Sequence, residues 1–178
     1  MSITIKRARG TVEFCVDLAK QVEWEAATDA LKTAQVNPAD RMVDTEATAA
    51  AKVVAETETA MADTILIFEL EALPRKKWQE FEAAHPPREG VKEDENFSVN
   101  VSTFFDAVLP PMIFAVRSKS KNKPFDFDPA TEWLPLADEM TEGQHNEFAL
   151  KALRLNRGST GVPFSRAASL LMAASGKS

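Results

Sequence analysis

The chain is poor in the residues from which most sites are built. A single cysteine, Cys15, excludes an internal disulfide. It lies in an alternating apolar run, Val12 to Val16, with no histidine near it in sequence. It therefore reads as a buried structural thiol, not a nucleophile. The two histidines, His85 and His145, are isolated, and with one cysteine they make no tetrahedral metal site. No apolar run approaches the roughly 18 residues of a membrane-spanning helix, and no apolar signal core opens the sequence, so a cytoplasmic chain is expected. Basic excess is absent too. The net charge of −6 argues against a dedicated nucleic-acid binder. The short cluster Lys6, Arg7 and Arg9 reads as a solvated N-terminal arm.

Catalytic patterns fail in the same way. Asp126 and Asp128 match the start of a calcium loop, but its glycine and closing glutamate are missing. Gly176-Lys177-Ser178 resembles the end of a phosphate-binding loop, whose first glycine would fall at Leu171. Ser165 and Ser169 lack a G-x-S-x-G setting. Glu93-Asp94-Glu95 reads as solvation of a polar loop. No repeat of solenoid length is visible. We therefore expect no catalytic residues, cofactor or metal. An acidic, mostly helical chain without them points to protein binding.

What is present is a globular composition, 44% hydrophobic and 27% charged, which places the chain outside the disordered class. Two segments alternate with period two, the signature of a half-buried strand. Residues 11–16 put Val12, Phe14 and Val16 on one face. Residues 64–70 put Leu66, Phe68 and Leu70 on one face, with Ile65 and Ile67 on the other. Between them, Asp17 to Gln35 and Thr45 to Met61 are rich in helix formers, separated by Asn37-Pro38. This spacing predicts a helical hairpin projecting from a two-stranded antiparallel ribbon. A coiled-coil oligomerisation element is the competing reading, but its heptads are few and imperfect.

The remainder reads as helical. Pro74 suits a helix start, Trp78 and Phe81 face inward, and Pro86-Pro87 stop that helix, with His85 capping its end. Residues 88–96 read as a polar, mobile loop. Thr103 is a candidate cap for a helix striped by Phe104, Val108 and Leu109, which breaks at Pro110-Pro111 before Met112 to Val116. A long loop follows over 117–130, tacked down by Phe125 and Phe127, then a short helix at 131–139 interrupted by Pro135. Thr141 and Gln144 form a capping box. Its helix runs to about Leu155 with Phe148, Ala152 and Leu155 in one stripe and Gly158 as terminator. A last helix begins at Pro163. The expected fold is α+β, mainly α, divided into a strand–hairpin–strand region (1–72) and a C-terminal helical region (73–178).

Several of these residues recur in a specific order: Phe68, Leu73, Pro74, Arg75, Trp78, then His85-Pro86-Pro87, then Thr103-Phe104. The order continues with Gly143-Gln144, Asn146, Leu155-Asn156-Arg157 and Pro163-Phe164-Ser165. In this order and spacing the chain resembles the tail assembly chaperones of long-tailed, siphovirus-type actinobacterial phages. The resemblance covers about residues 60–170. His145 stands where an aromatic residue is usual, and Pro110-Pro111 interrupts a helix that is usually more regular.

The resemblance implies a virally encoded protein of the host cytoplasm, absent from the mature virion. Its implied partner is the tape measure protein, with the tail tube protein second, and no nucleic acid or membrane. Self-association is left open. It also implies a longer minor product from programmed frameshifting near residues 160–178. A client helix with exposed apolar stripes needs an apolar groove to cover it. Phe104, Val108, Phe148, Leu153, Phe164 and Leu171 are the candidate client-binding surface. The alternative reading is a structural tail or head–tail connector protein retained in the virion. A small enzyme is a more distant one.

Overall fold

A computed structural model describes residues 5–35 and 41–158, with the backbone alone at 41–44. The helix expected from Pro163 lies outside the described residues. The fold is α+β, mainly α. Strand β1 (Arg9–Cys15) pairs antiparallel with β2 (Ile65–Glu71), placing Val12 opposite Phe68 and Phe14 opposite Leu66. This is the pairing the alternation predicts, because the shared face carries both large apolar side chains of β1, Val12 and Phe14. Val16 lies past the strand end and is exposed.

The chain leaves β1 into α1 (Leu18–Gln35) and returns through α2 (Arg41–Ala62), the expected hairpin. Asp17 starts α1, accepting from the Ala19 N–H at 3.0 Å. The two helices, about 27 and 33 Å long, pack against each other and little against the rest. Ala27 is the buried residue of the pair among those described. Trp24 is half-buried there, its Nε1 donating to Glu58 Oε1 at 3.4 Å.

The ribbon is not two-stranded. A third strand, β3 (Ile113–Ser118), pairs antiparallel with β2, so β2 is central in the order β1-β2-β3. Pro110-Pro111 fold into a single 3-10 turn and redirect the chain into this strand. A short apolar run cannot be assigned to helix or strand from its periodicity. What decides it is the free edge of β2, whose backbone groups require a partner. The ladder slips between Glu69 and Leu70, and Phe114 is the extra residue. This bulge turns Phe114 outward, where the Arg9 guanidinium lies 4.4 Å from its ring.

One face of the sheet carries Val12, Phe14, Phe68, Leu70 and Val116 into the core. The other carries charge. Arg7 and Arg9 donate to Glu71 at 2.7 Å, Arg117 to Glu69 at 2.9 Å, and Lys119 to Glu13 at 2.6 Å. Five helices cover the apolar side: α3 (Arg75–Ala84), α4 (Lys92–Phe97), α5 (Val101–Val108), α6 (Pro129–Asp138) and α7 (Glu142–Arg157). The core is a chain of edge-to-face rings, a preferred geometry for aromatic pairs. Phe68 meets Phe148 at 5.1 Å and Phe127 at 5.3 Å, Phe148 meets Trp133 at 5.1 Å, and Trp78 meets Phe104 at 5.1 Å. Helix α7 crosses β1 at Gly10, where a Cβ would stand 3.2 Å from the Lys151 side chain and 3.4 Å from that of Leu155. Strands from both sides of residue 72 share this core, so the boundary between 1–72 and 73–178 does not divide it.

Three local expectations are corrected. Residues 88–96 do not form a plain loop: α4 occupies most of them, and Asp94 is fully buried. Thr103 does not cap α5. Asn100 does, its side chain accepting from the Ser102 N–H at 3.1 Å. Thr103 sits inside the helix and pairs instead with His85 Nδ1 at 2.8 Å. Of the two loop phenylalanines, Phe127 packs on the core, whereas Phe125 is exposed.

Candidate protein-binding groove

Helix α5 packs on α3, α4 and α6, while α7 packs on β1. The space left between α5 and α7 is a groove of about 620 Å³. Its apolar wall comes from Phe97, Val101, Phe105, Ala149, Leu150 and Leu153. These residues lie on three helices, α4, α5 and α7. Phe105 and Ala149 are buried, while Leu150 stands half exposed at the lip. The volume lies in the range typical of ligand-binding clefts.

Each wall is held by polar contacts. At the start of α7 the capping box forms as expected. The Gln144 N–H donates to Thr141 Oγ1 at 3.3 Å, and the Thr141 N–H donates to Gln144 Oε1 at 3.0 Å. Gln144 Nε2 also donates to the Cys15 carbonyl at 2.9 Å, tying the helix start to β1. His145 Nε2 lies 3.1 Å from Asp106 Oδ1 and joins α7 to α5. At the far end Arg157 Nη1 donates to the Phe97 carbonyl at 2.7 Å, and its Nη2 donates to Glu82 Oε1 at 2.6 Å.

The α4 wall depends on Asp94. Arg88 Nε and Nη2 donate to its carboxylate at 2.7 and 3.0 Å, and the N–H groups of Arg88 and Val101 donate at 2.9 and 3.1 Å. The Arg88 hydrogen bonds hold the Asp94 carboxyl well below the usual carboxylate range. They prevail over burial, which acts in the opposite direction, and the two backbone N–H groups reinforce them. Gly90, at φ 75°, makes the turn that brings Arg88 back to Asp94. The clasp therefore fixes α4 to the start of α5, and with it Phe97 and Val101.

The sequence-based surface divides. Phe104, Val108 and Phe148 are fully buried and form core, not surface. Leu153 lines the groove. Phe164 and Leu171 lie outside the described residues. The groove residues missed were Phe97, Val101, Phe105, Ala149 and Leu150. Phe105 and Ala149 immediately follow the buried Phe104 and Phe148. A helix face is wider than one stripe, so a position beside a core residue can belong to the core and still line a groove.

Several residues that carry the resemblance act as fasteners. Trp78 Nε1 donates to Glu82 Oε1 at 2.6 Å, the oxygen that Arg157 also reaches. Asn156 Oδ1 accepts from the Leu73 N–H at 2.8 Å, and its Nδ2 donates to the Ala152 carbonyl at 2.8 Å. Leu73, Trp78, Thr103, Gln144, Asn156 and Arg157 thus join the helices to each other and to the sheet. Among the described residues no group of three or more His, Cys, Asp or Glu is placed to hold a metal ion. No helix there is long and apolar enough to cross a membrane. Compared with protein-family models, curated proteins and solved structures, the chain has no match.

Proposed function

We propose that this chain is a phage tail assembly chaperone. In this reading it binds the tape measure protein and keeps it from associating while tail tube subunits assemble around it. The observation that carries the reading is the ordered set of residues from Phe68 to Arg157, which resembles that family. A groove with an apolar wall supports it, because a long client helix needs its apolar stripe covered and later released. Helix-in-groove binding serves both needs, since its affinity can stay modest.

The proposal is tested by co-expression with the tape measure protein of the same genome, followed by mass spectrometry of purified virions. A stable complex in infected cells and absence from particles is the expected pair of results. Abundance of this chain in virions would overturn the reading in favour of a structural tail or connector protein. Client binding is expected to survive replacement of residues 18–62 by a short turn, because the groove lies in the body and not in the hairpin.

A further inference from the structure

The groove between α5 and α7 has a charge pattern that narrows its occupant. Its lining combines the apolar wall with Ser102, His145 and Asn146, and its charged residues are two carboxylates, Glu142 and Glu93. Glu142 stands at the start of α7. Glu93 stands at the opposite end, on the helix whose last residue, Phe97, is bound by Arg157 from the end of α7. No lysine or arginine is among the described residues that line the groove. Of the cations around its far end, Arg88 pairs with Asp94 and Arg157 with Glu82, while Lys92 and Arg154 are exposed and are not among the residues that line the groove. Among the described residues Glu142 accepts from a neutral donor, Asn146 Nδ2, at 3.2 Å.

From Glu142 to Leu153, α7 rises about 16 Å, the length of roughly eleven helical residues. An occupant helix lying along α7 therefore meets a carboxylate at each end and apolar side chains between. We propose that the groove binds an amphipathic helix of a partner protein, apolar at i, i+4 and i+7, with a Lys or Arg at each end about eleven residues apart. The identity of the partner as the tape measure protein rests on the chaperone reading, whereas the chemistry of the helix rests on the groove. The flanking cations fix register and orientation, since charge complementarity at a rim serves specificity more than affinity.

The test uses the full chain and two synthetic helical peptides with the same Leu stripe, one flanked by Lys and one by Glu. Binding is followed by fluorescence anisotropy at low and high salt. The Lys-flanked peptide is expected to bind at least about tenfold tighter, with an advantage that shrinks as salt rises. Leu150→Glu alters an exposed side chain and is expected to weaken that peptide by about tenfold or more. Glu93→Gln with Glu142→Gln is expected to weaken it about three- to tenfold and leave the Glu-flanked peptide unaffected or improved. Circular dichroism confirms that each variant is folded.

Equal binding of the two peptides, or indifference to Leu150→Glu, overturns the proposal. So does concentration-dependent self-association that Leu150→Glu abolishes, which assigns the groove to a second copy of the chain. The two readings separate in a parallel capture of the tape measure protein. Capture unaffected by Leu150→Glu removes the groove assignment and leaves the chaperone reading standing. Peptide binding without tape measure capture does the reverse.

Discussion

The hairpin and the body hold together by different means. Helices α1 and α2 bury little where they meet: among their described residues Ala27 alone is buried. The body meets through rings: Phe14, Phe68, Trp78, Phe104, Phe105, Trp133 and Phe148 are all buried in one cluster. A buried aromatic removes far more apolar area from water than an alanine does. The hairpin's stability is therefore local, drawn from helix propensity and its connection to β1 and β2. The body's stability is collective.

The largest expected effect lies at the centre of the body. Phe68→Ala removes a ring that touches Phe14, Phe127 and Phe148, and should cost about 3–5 kcal/mol in chemical denaturation. A loss no greater than that of an exposed substitution would show that the ring cluster is not what holds the body.

The Asp94 clasp comes next. Because its carboxyl is held below the ordinary value, its stabilisation is fully present above the normal carboxylate range, near pH 4. It is lost progressively as acid protonates the folded form. Asp94→Asn is therefore expected to lower the unfolding midpoint at neutral pH, and to narrow its gap to the unsubstituted chain as pH falls. Parallel pH profiles for the two proteins would rule the clasp out.

Ala27→Leu probes the hairpin. Overpacking its seam should cost about 1–3 kcal/mol locally. Hydrogen exchange should rise in α1 and α2 while the body's amides stay protected. Exchange rising equally in β2 would show that the two regions unfold as one. The smallest effect is expected from Val22→Ser on the exposed face of α1, within about 0.5 kcal/mol by thermal melting. A larger loss would reveal a partner surface on the hairpin.

Much of this architecture is legible before folding. Alternation in 11–16 and 64–70, the alanine-rich insert and the Thr141–Gln144 box each rest on neighbours within a few residues, and each is present. The misses involve distant partners. Residues 88–96 are polar and read as solvated, yet Asp94 is buried because Arg88 and the Val101 N–H converge on it. Phe104 and Phe148 were candidates for a surface because their apolarity is visible, whereas the Trp78 and Phe68 rings that cover them are not.

Pattern alone determined which segments could be strand or helix and where the hairpin begins and ends. Those properties follow from local propensity, periodicity and residue inventory. Tertiary structure alone decided that Met112 to Val116 leads into a strand, because the open edge of β2 required a partner. It also decided which apolar residues face water. Burial depends on what packs against a side chain, and for the groove between α5 and α7 that depends on how far apart two helices settle on one sheet.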